Sequence, residues 1–172
     1  MKSIFLNSWQ KRIEVATNLA ILCAFLMVAA LAGKRFFERP VDASERGPRV
    51  GSAVSLTGVD WGRSNLNLVM ALNTGCHFCS ESAEFYKRLV PSAANRGVRV
   101  LAVLPQPVGE SHGYLEKLGV PVTEVVQSPL AALDVAGTPT LMVLDRQGRI
   151  QKAWAGKLDP EREKQVLASL QP

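Results

Sequence analysis

Residues 69–79 read Val69-Met70-Ala71-Leu72-Asn73-Thr74-Gly75-Cys76-His77-Phe78-Cys79, and the change of pattern inside this stretch decides the fold. Residues 69–72 are an uninterrupted apolar run, as expected of a strand covered on both faces. Past Cys76 the period changes. Phe78, Ser82, Phe85 or Tyr86, and Leu89 recur every three to four residues, with Glu81, Lys87 and Arg88 off that stripe, which predicts a helix. Cys76 thus stands at a strand-to-helix junction, with Cys79 one helical turn further on.

Downstream, residues 98–104 are a second apolar run and predict a second central strand. A helix is expected over 111–118, an extended run over 120–126 and a turn of helix near 130–134. Residues 140–144 and 150–155 are two strand candidates joined by Asp145-Arg146-Gln147-Gly148-Arg149. Gly148 can take the positive φ that a hairpin loop requires. Asp159 and Pro160 supply an N-cap and a first-turn proline for a closing helix to about Leu170, with Val166, Leu167 and Leu170 inward. The expected order is strand, helix, strand, helix, strand, strand, helix, an α/β domain.

The chemistry sits in Gly75-Cys76-His77-Phe78-Cys79, whose spacing allows a disulfide across the first helical turn. Free N–H groups at a helix start stabilise a thiolate on Cys76, making it the attacking sulfur. Cys76 would attack a partner disulfide, and Cys79 would resolve the mixed disulfide. His77 and Phe78 lie between them and are the residues placed to tune the pair, a protonated imidazole favouring the thiolate.

Two cysteines spaced in this way also occur in haem and zinc sites. Haem attachment fails because Ser80, not His, follows Cys79. Structural zinc needs about four ligands, and only His77 and His112 stand beside the pair, so no metal ligand set is assigned. A purely structural disulfide would close too small a loop to stabilise much. Trp61 and Trp154 read as core or surface aromatics, Cys23 as a small apolar residue, and His112 as a solvated side chain.

About sixty residues beyond the cysteines comes Gly137-Thr138-Pro139-Thr140, directly before Leu141-Met142-Val143-Leu144 and the Asp145 to Ile150 turn. The two motifs together, over about residues 52–170, resemble the thioredoxin superfamily, most closely its membrane-anchored bacterial branch of TlpA and ResA type. The resemblance implies a thioredoxin-like fold, a central mixed sheet flanked by helices. It implies that Pro139 is cis and packs beside the cysteines, and that Thr138 offers backbone hydrogen bonds to an extended partner chain. It implies no cofactor beyond a redox-active Cys76–Cys79 disulfide. It also implies protein disulfide or dithiol substrates, such as the cysteines of apocytochromes or metal sites kept reduced, and a membrane electron donor or acceptor. Three features depart from the pattern: Gly75 stands where the family often has Trp, Met70 where it has a buried acid or Asn, and the domain is short of an insertion found in some relatives. The loss at Met70 bears on proton transfer at Cys79.

At the front of the chain, residues 15–33 hold no charged side chain, close to the roughly 20 residues that cross a hydrocarbon core of about 30 Å. Trp9, Phe36 and Phe37 flank the run, and Lys11, Arg12, Lys34 and Arg35 bracket it. The reading is a short segment 1–14, a transmembrane anchor 15–35 in contact with the lipid bilayer, a polar linker 36–51 with two prolines and two glycines, and a thioredoxin-like domain 52–172. A cleaved signal peptide is the alternative, given Ala30-Leu31-Ala32, but Glu14 and the basic pair after any cut argue against it. A buried helix of a soluble fold fits the length of the run poorly.

Lys and Arg show no clear excess on either side of the span, so a C-terminal domain outside the cytoplasm, in the periplasm of a bacterial inner-membrane protein, rests on the resemblance. The net charge of +5 is partly concentrated near the membrane flanks, and no basic stripe interleaved with aromatics suggests nucleic acid. The sequence therefore predicts a membrane-tethered thiol-disulfide oxidoreductase acting as an extracytoplasmic reductant. Its rivals are a metal-handling protein that holds a soft ion such as Cu(I) at Cys76, Cys79 and His77, and a redox-inactive binding module on the same fold.

Overall fold

The computed structural model describes residues 17–19, 21–27 and 47–171. It divides the chain into two units, Met1–Asp42 and Ala43–Pro172. In the first, residues 17–19 and 21–27 are helical, and Leu19, Ile21, Leu22, Phe25, Leu26 and Met27 are all exposed. Among the described residues no helix is long and apolar enough to cross a membrane. The segment expected at 1–14, most of the anchor expected at 15–35 and the linker up to residue 46 lie outside the described residues.

The second unit is built on five strands: β1 (Leu66–Ala71), β2 (Arg99–Leu104), β3 (Glu124–Gln127), β4 (Thr140–Asp145) and β5 (Ile150–Ala155). Their order in the sheet is β3-β2-β1-β4-β5, with β1, β2 and β3 parallel and β4 and β5 antiparallel to their neighbours. The helices are α1 (His77–Glu81), α2 (Ala83–Ala94), α3 (Val108–Lys117) and α4 (Pro160–Ser169). This is the α/β mixed sheet flanked by helices that the sequence predicts. The extended run expected at 120–126 overlaps β3 only over 124–126, and β3 is an additional strand of the sheet that the expected order omits. Its side chains are half-buried or exposed because it is an edge strand, so it lacks the apolar run that marks β1 and β2.

β1 explains its own composition. Leu68 and Met70 face one hydrophobic cluster with Leu89, Leu104, Leu115, Val166 and Leu170, brought by α2, β2, α3 and α4. Val69 and Ala71 face a second cluster with Trp61, Leu133, Met142 and Ile150. Alternate side chains enter opposite cores, so a polar group on β1 is costly unless partnered, and the Oδ1 of Asn67 is buried there without a hydrogen-bond partner. Asn67, the polar residue fully buried there, donates its side-chain amide to the carbonyl of Trp61 at 3.2 Å and to that of Asp145 at 3.3 Å.

One feature of the predicted helix is corrected. Phe78 does not lie on the buried stripe: it is 54% exposed. Ser82, Phe85, Tyr86 and Leu89 are buried as expected, together with Ala83, Val90 and Ala93, and the stripe is shifted only at its start, where Cys79 is the inward residue. The helix also breaks at Ser82, which caps both α1 and α2 and returns its hydroxyl to the Phe78 carbonyl at 2.8 Å. The shift puts the second cysteine, not the phenylalanine, into the core.

At the other end of the sheet the β4–β5 hairpin is closed by Gly148 at φ 73°. Gly51 donates its N–H to Ile150 at 2.7 Å, and Val54 donates to Gly148 at 2.8 Å, so the chain entering the domain runs along this hairpin. Trp61 covers the turn and donates its indole N–H to the Val54 carbonyl at 2.9 Å. A Cβ at Gly148 would meet the Trp61 ring at 2.5 Å, so the position excludes side chains twice, by φ and by contact. We expect Gly148→Ala to lower stability by about 1–3 kcal/mol in denaturant unfolding, and Gly58→Ala, also at positive φ but in open space, to cost less. Equal midpoints for the two variants would show that the Trp61 contact does not matter.

Candidate active site

Leu72 ends the run of β1 by donating its N–H to Val103 at 3.0 Å, and Asn73-Thr74-Gly75 then turn the chain into α1. Cys76 occupies the N-cap with extended backbone, φ −88° and ψ 112°. Its sulfur accepts the Cys79 N–H at 3.2 Å, doing what a Ser or Asp oxygen does at other helix starts. Cys76 is half-buried, Cys79 is fully buried, and neither is disulfide-bonded. The two sulfurs therefore differ in their access to solvent.

Across the site stands the segment before β4. The Thr138–Pro139 peptide bond is cis, and the Cys76 thiol donates to the Thr138 carbonyl at 3.3 Å. The register of the sheet brings this segment here, because Ala71 of β1 pairs with Thr140 of β4. Of the residues singled out from sequence, Cys76, Cys79, Thr138 and Pro139 thus meet at one end of the sheet.

His77 and Phe78 point outward. The imidazole Nε2 of His77 lies 3.1 Å from Glu81 Oε1, and the other Glu81 oxygen accepts from Lys157 Nζ at 3.1 Å. Lys157 first, and His77 after it, hold the Glu81 carboxyl below its ordinary range. His112 is exposed, while Trp61 and Trp154 lie in the two cores.

Burial pushes the Cys79 thiol up from 9.0 to about 12, and its hydrogen bond with Cys76 acts in the same direction. The backbone of Asn73 and the side chain of Thr138, both hydrogen-bonded to it, act against this. No carboxylate contributes, because the position six residues before Cys76 is Met70, fully buried in the same apolar cluster as Cys79. Burial also raises the neighbouring phenols of Tyr86 and Tyr114.

Several members of the site escaped the sequence reading. Asn73 Oδ1 accepts the Gly75 N–H at 2.9 Å and the Gln106 amide at 3.2 Å, and Thr74 donates its hydroxyl to Glu110 at 3.2 Å. The tyrosine hydroxyl of Tyr114 lies 3.3 Å from Ser80 Oγ. An Asn two residues before a Gly is a turn signal that could have flagged Asn73, and the four-residue spacing of His77 and Glu81 could have flagged their pairing. Gln106 and Glu110 had no local signal. Among the described residues no three His, Cys, Asp or Glu side chains are grouped to hold a metal ion.

The protonated state of Cys79 sets a pH dependence. Between the ordinary value of 9.0 and about 12, the unfolded chain has lost this proton while the folded chain keeps it. The unfolded state then binds fewer protons, so stability falls as pH rises through that window. We expect the unfolding midpoint of the reduced protein to drop there, and Cys79→Ala to flatten the drop; parallel curves for the two proteins would contradict the assignment.

No family model matches the chain. Among curated proteins it is similar to the thiol-disulfide oxidoreductase ResA of Geobacillus thermodenitrificans (strain NG80-2), with 28% identity over 103 residues. The match covers 58% of this chain and 59% of that protein, so the chain spans less than two thirds of its curated relative. Among solved structures, a thioredoxin-family thiol:disulfide interchange protein from Chlorobium tepidum TLS superposes with a TM-score of 0.54 at 16% identity, covering 71% of this chain and 97% of that one. Peroxidoxin BcpB from Mycobacterium tuberculosis superposes with a TM-score of 0.56 at 14% identity, covering 71% and 96%. The two structures carry different names on one architecture, so their likeness speaks for the fold. The chain thus carries a cysteine pair at a strand-to-helix junction with a cis-proline segment opposite it, on an architecture shared with a thioredoxin-family protein, and is similar in sequence to a thiol-disulfide oxidoreductase of ResA type.

Proposed function

We propose that the chain is a protein thiol-disulfide oxidoreductase in which Cys76 is the nucleophile and Cys79 the resolving thiol. The observation that carries this reading is the asymmetry of the two sulfurs: one half-exposed and supplied with the Cys79 N–H at 3.2 Å, the other fully buried behind it. Cys76 as thiolate attacks a partner disulfide and forms a mixed disulfide, releasing one partner thiolate. Cys79 as thiolate then attacks the Cys76 sulfur, releasing the second and leaving Cys76–Cys79 oxidised. Thr138 and Pro139 form the wall against which an extended partner chain lies, and His77 and Phe78 line its outer side.

The ResA likeness supports protein disulfides or dithiols as substrates. It also supports a place on the outer side of a bacterial inner membrane, with electrons supplied by a membrane donor and the chain working as a reductant. The exposed apolar side chains at 19–27 support tethering through the N-terminal segment, since such a surface needs lipid or a partner to cover it. The metal-handling alternative lacks a third ligand among the described residues.

The test is redox equilibration of the full chain, carrying Cys23→Ser so that only two thiols remain, against glutathione or dithiothreitol. A reversible two-electron couple near about −270 mV supports a reductant, and one near about −120 to −180 mV makes it an oxidant or isomerase. We expect Cys76→Ser to abolish disulfide reduction and Cys79→Ser to accumulate mixed disulfides on gels. Full activity of Cys76→Ser would sink the mechanism.

A further inference from the structure

Among the described residues, no carboxylate is among the groups that act on Cys79, so none is placed to take its proton in the resolving step. Met70 is apolar and fully buried, and the groups that hydrogen-bond Cys79 are Cys76, the Asn73 backbone and Thr138. Cys79 must nevertheless become a thiolate to attack the mixed disulfide. Whatever favours that state has to come from fixed dipoles, and their aim depends on how rigidly the 73–75 turn is held.

Asn73 holds it from three sides. Its carbonyl accepts the Cys76 N–H at 3.1 Å, its Oδ1 accepts the Gly75 N–H at 2.9 Å, and the same Oδ1 accepts the Gln106 amide at 3.2 Å. Gln106 is tied in turn, its carbonyl accepting the Ser111 hydroxyl at 3.3 Å. A side chain that closes a turn on the backbone N–H two residues ahead fixes the local φ and ψ. A tie from a different strand end then keeps that turn from rotating.

We infer that Asn73 is a positioning residue of the dithiol site: its side-chain amide, clamped by Gln106, locks the 73–75 turn so that the Asn73 backbone N–H is aimed at the Cys79 sulfur. This inference deepens the oxidoreductase reading and rests on it. The step it serves is attack of the Cys79 thiolate on the Cys76 sulfur. The Cys76–Cys79 bond forms, the bond from Cys76 to the partner breaks, and the bonding pair leaves on the partner sulfur. The Cys79 proton has gone to solvent, and two electrons have passed from the protein dithiol to the partner disulfide.

The probe is one equivalent of 5,5′-dithiobis(2-nitrobenzoate) on the reduced full chain carrying Cys23→Ser. The first thionitrobenzoate reports attack by Cys76 and the second reports resolution by Cys79. In Asn73→Ala we expect the second release to slow about three- to tenfold while the first stays within about twofold, the scale of one lost hydrogen bond. Gln106→Ala, which leaves the turn's own hydrogen bond in place, is expected to slow the second release less. Asn73→Ser, whose hydroxyl can still accept the Gly75 N–H, is expected to recover part of the rate. An unchanged second release in Asn73→Ala overturns the inference. So does equal slowing of both steps in Asn73→Ala and Gln106→Ala, because that pattern reports a general loss of structure. A parent chain that never releases a second equivalent brings down the dithiol reading itself, and is distinguishable from both.

Discussion

The antiparallel pairing of β1 with β4, with Ala71 opposite Thr140, is the constraint on which the site depends. One strand ends four residues before Gly75 and the other begins one residue after Pro139, so this register brings together two segments about sixty residues apart. A slip of one residue would send Leu68 and Met70 into the wrong core and carry Thr138 away from Cys76. The register is held from both faces, since alternate residues of β1 are sealed in separate apolar clusters. The packing that stabilises the sheet therefore also positions the chemistry.

A second consequence of the same packing is the unequal fate of the two thiols. Helical geometry places Cys76 at the start of α1 and Cys79 a turn later, and the break at Ser82 sets which face of that turn meets the sheet. Cys79 takes the inward position and loses its contact with water, which is why its thiol holds its proton. Phe78 takes the outward one and stands exposed beside the reactive sulfur, where it can meet a partner. The unequal exposure of the two sulfurs follows from one rotation of a short helix.

Around this pair the polar groups are few and specific. Toward solvent, Glu81 contacts both His77 and Lys157, joining α1 to the segment after β5. Toward the protein, Asn73 and Gln106 join the turn to the end of β2. Met70, fully buried in the same apolar cluster as Cys79, stands where the resemblance leads one to expect a buried acid or Asn. The Asn73 backbone and the Thr138 side chain are the groups that act to favour charge on the inner sulfur.

Much of this was legible in the amino-acid order because it is local. The apolar run before Asn73, the two-residue spacing of the cysteines, the Asp159-Pro160 helix start and the Gly148 turn each record a backbone requirement within a few residues of itself. Pro139 was legible only through the likeness of its surroundings to a known family. What stayed hidden depends on partners distant in sequence. β3 joins the sheet as a half-buried edge, so its composition does not announce it. Phe78 and Cys79 are both plausible inward residues until the packing of α1 and α2 chooses between them. Asn73 is an ordinary turn residue until Gln106, thirty-three positions away, is folded against it. The sequence by itself determined most of the elements and the spacing of the cysteine pair, because hydrophobic period and turn chemistry act over a few residues. Only the tertiary structure decided which sulfur is buried and what holds it, because burial and hydrogen-bond partners are set by segments that meet through folding.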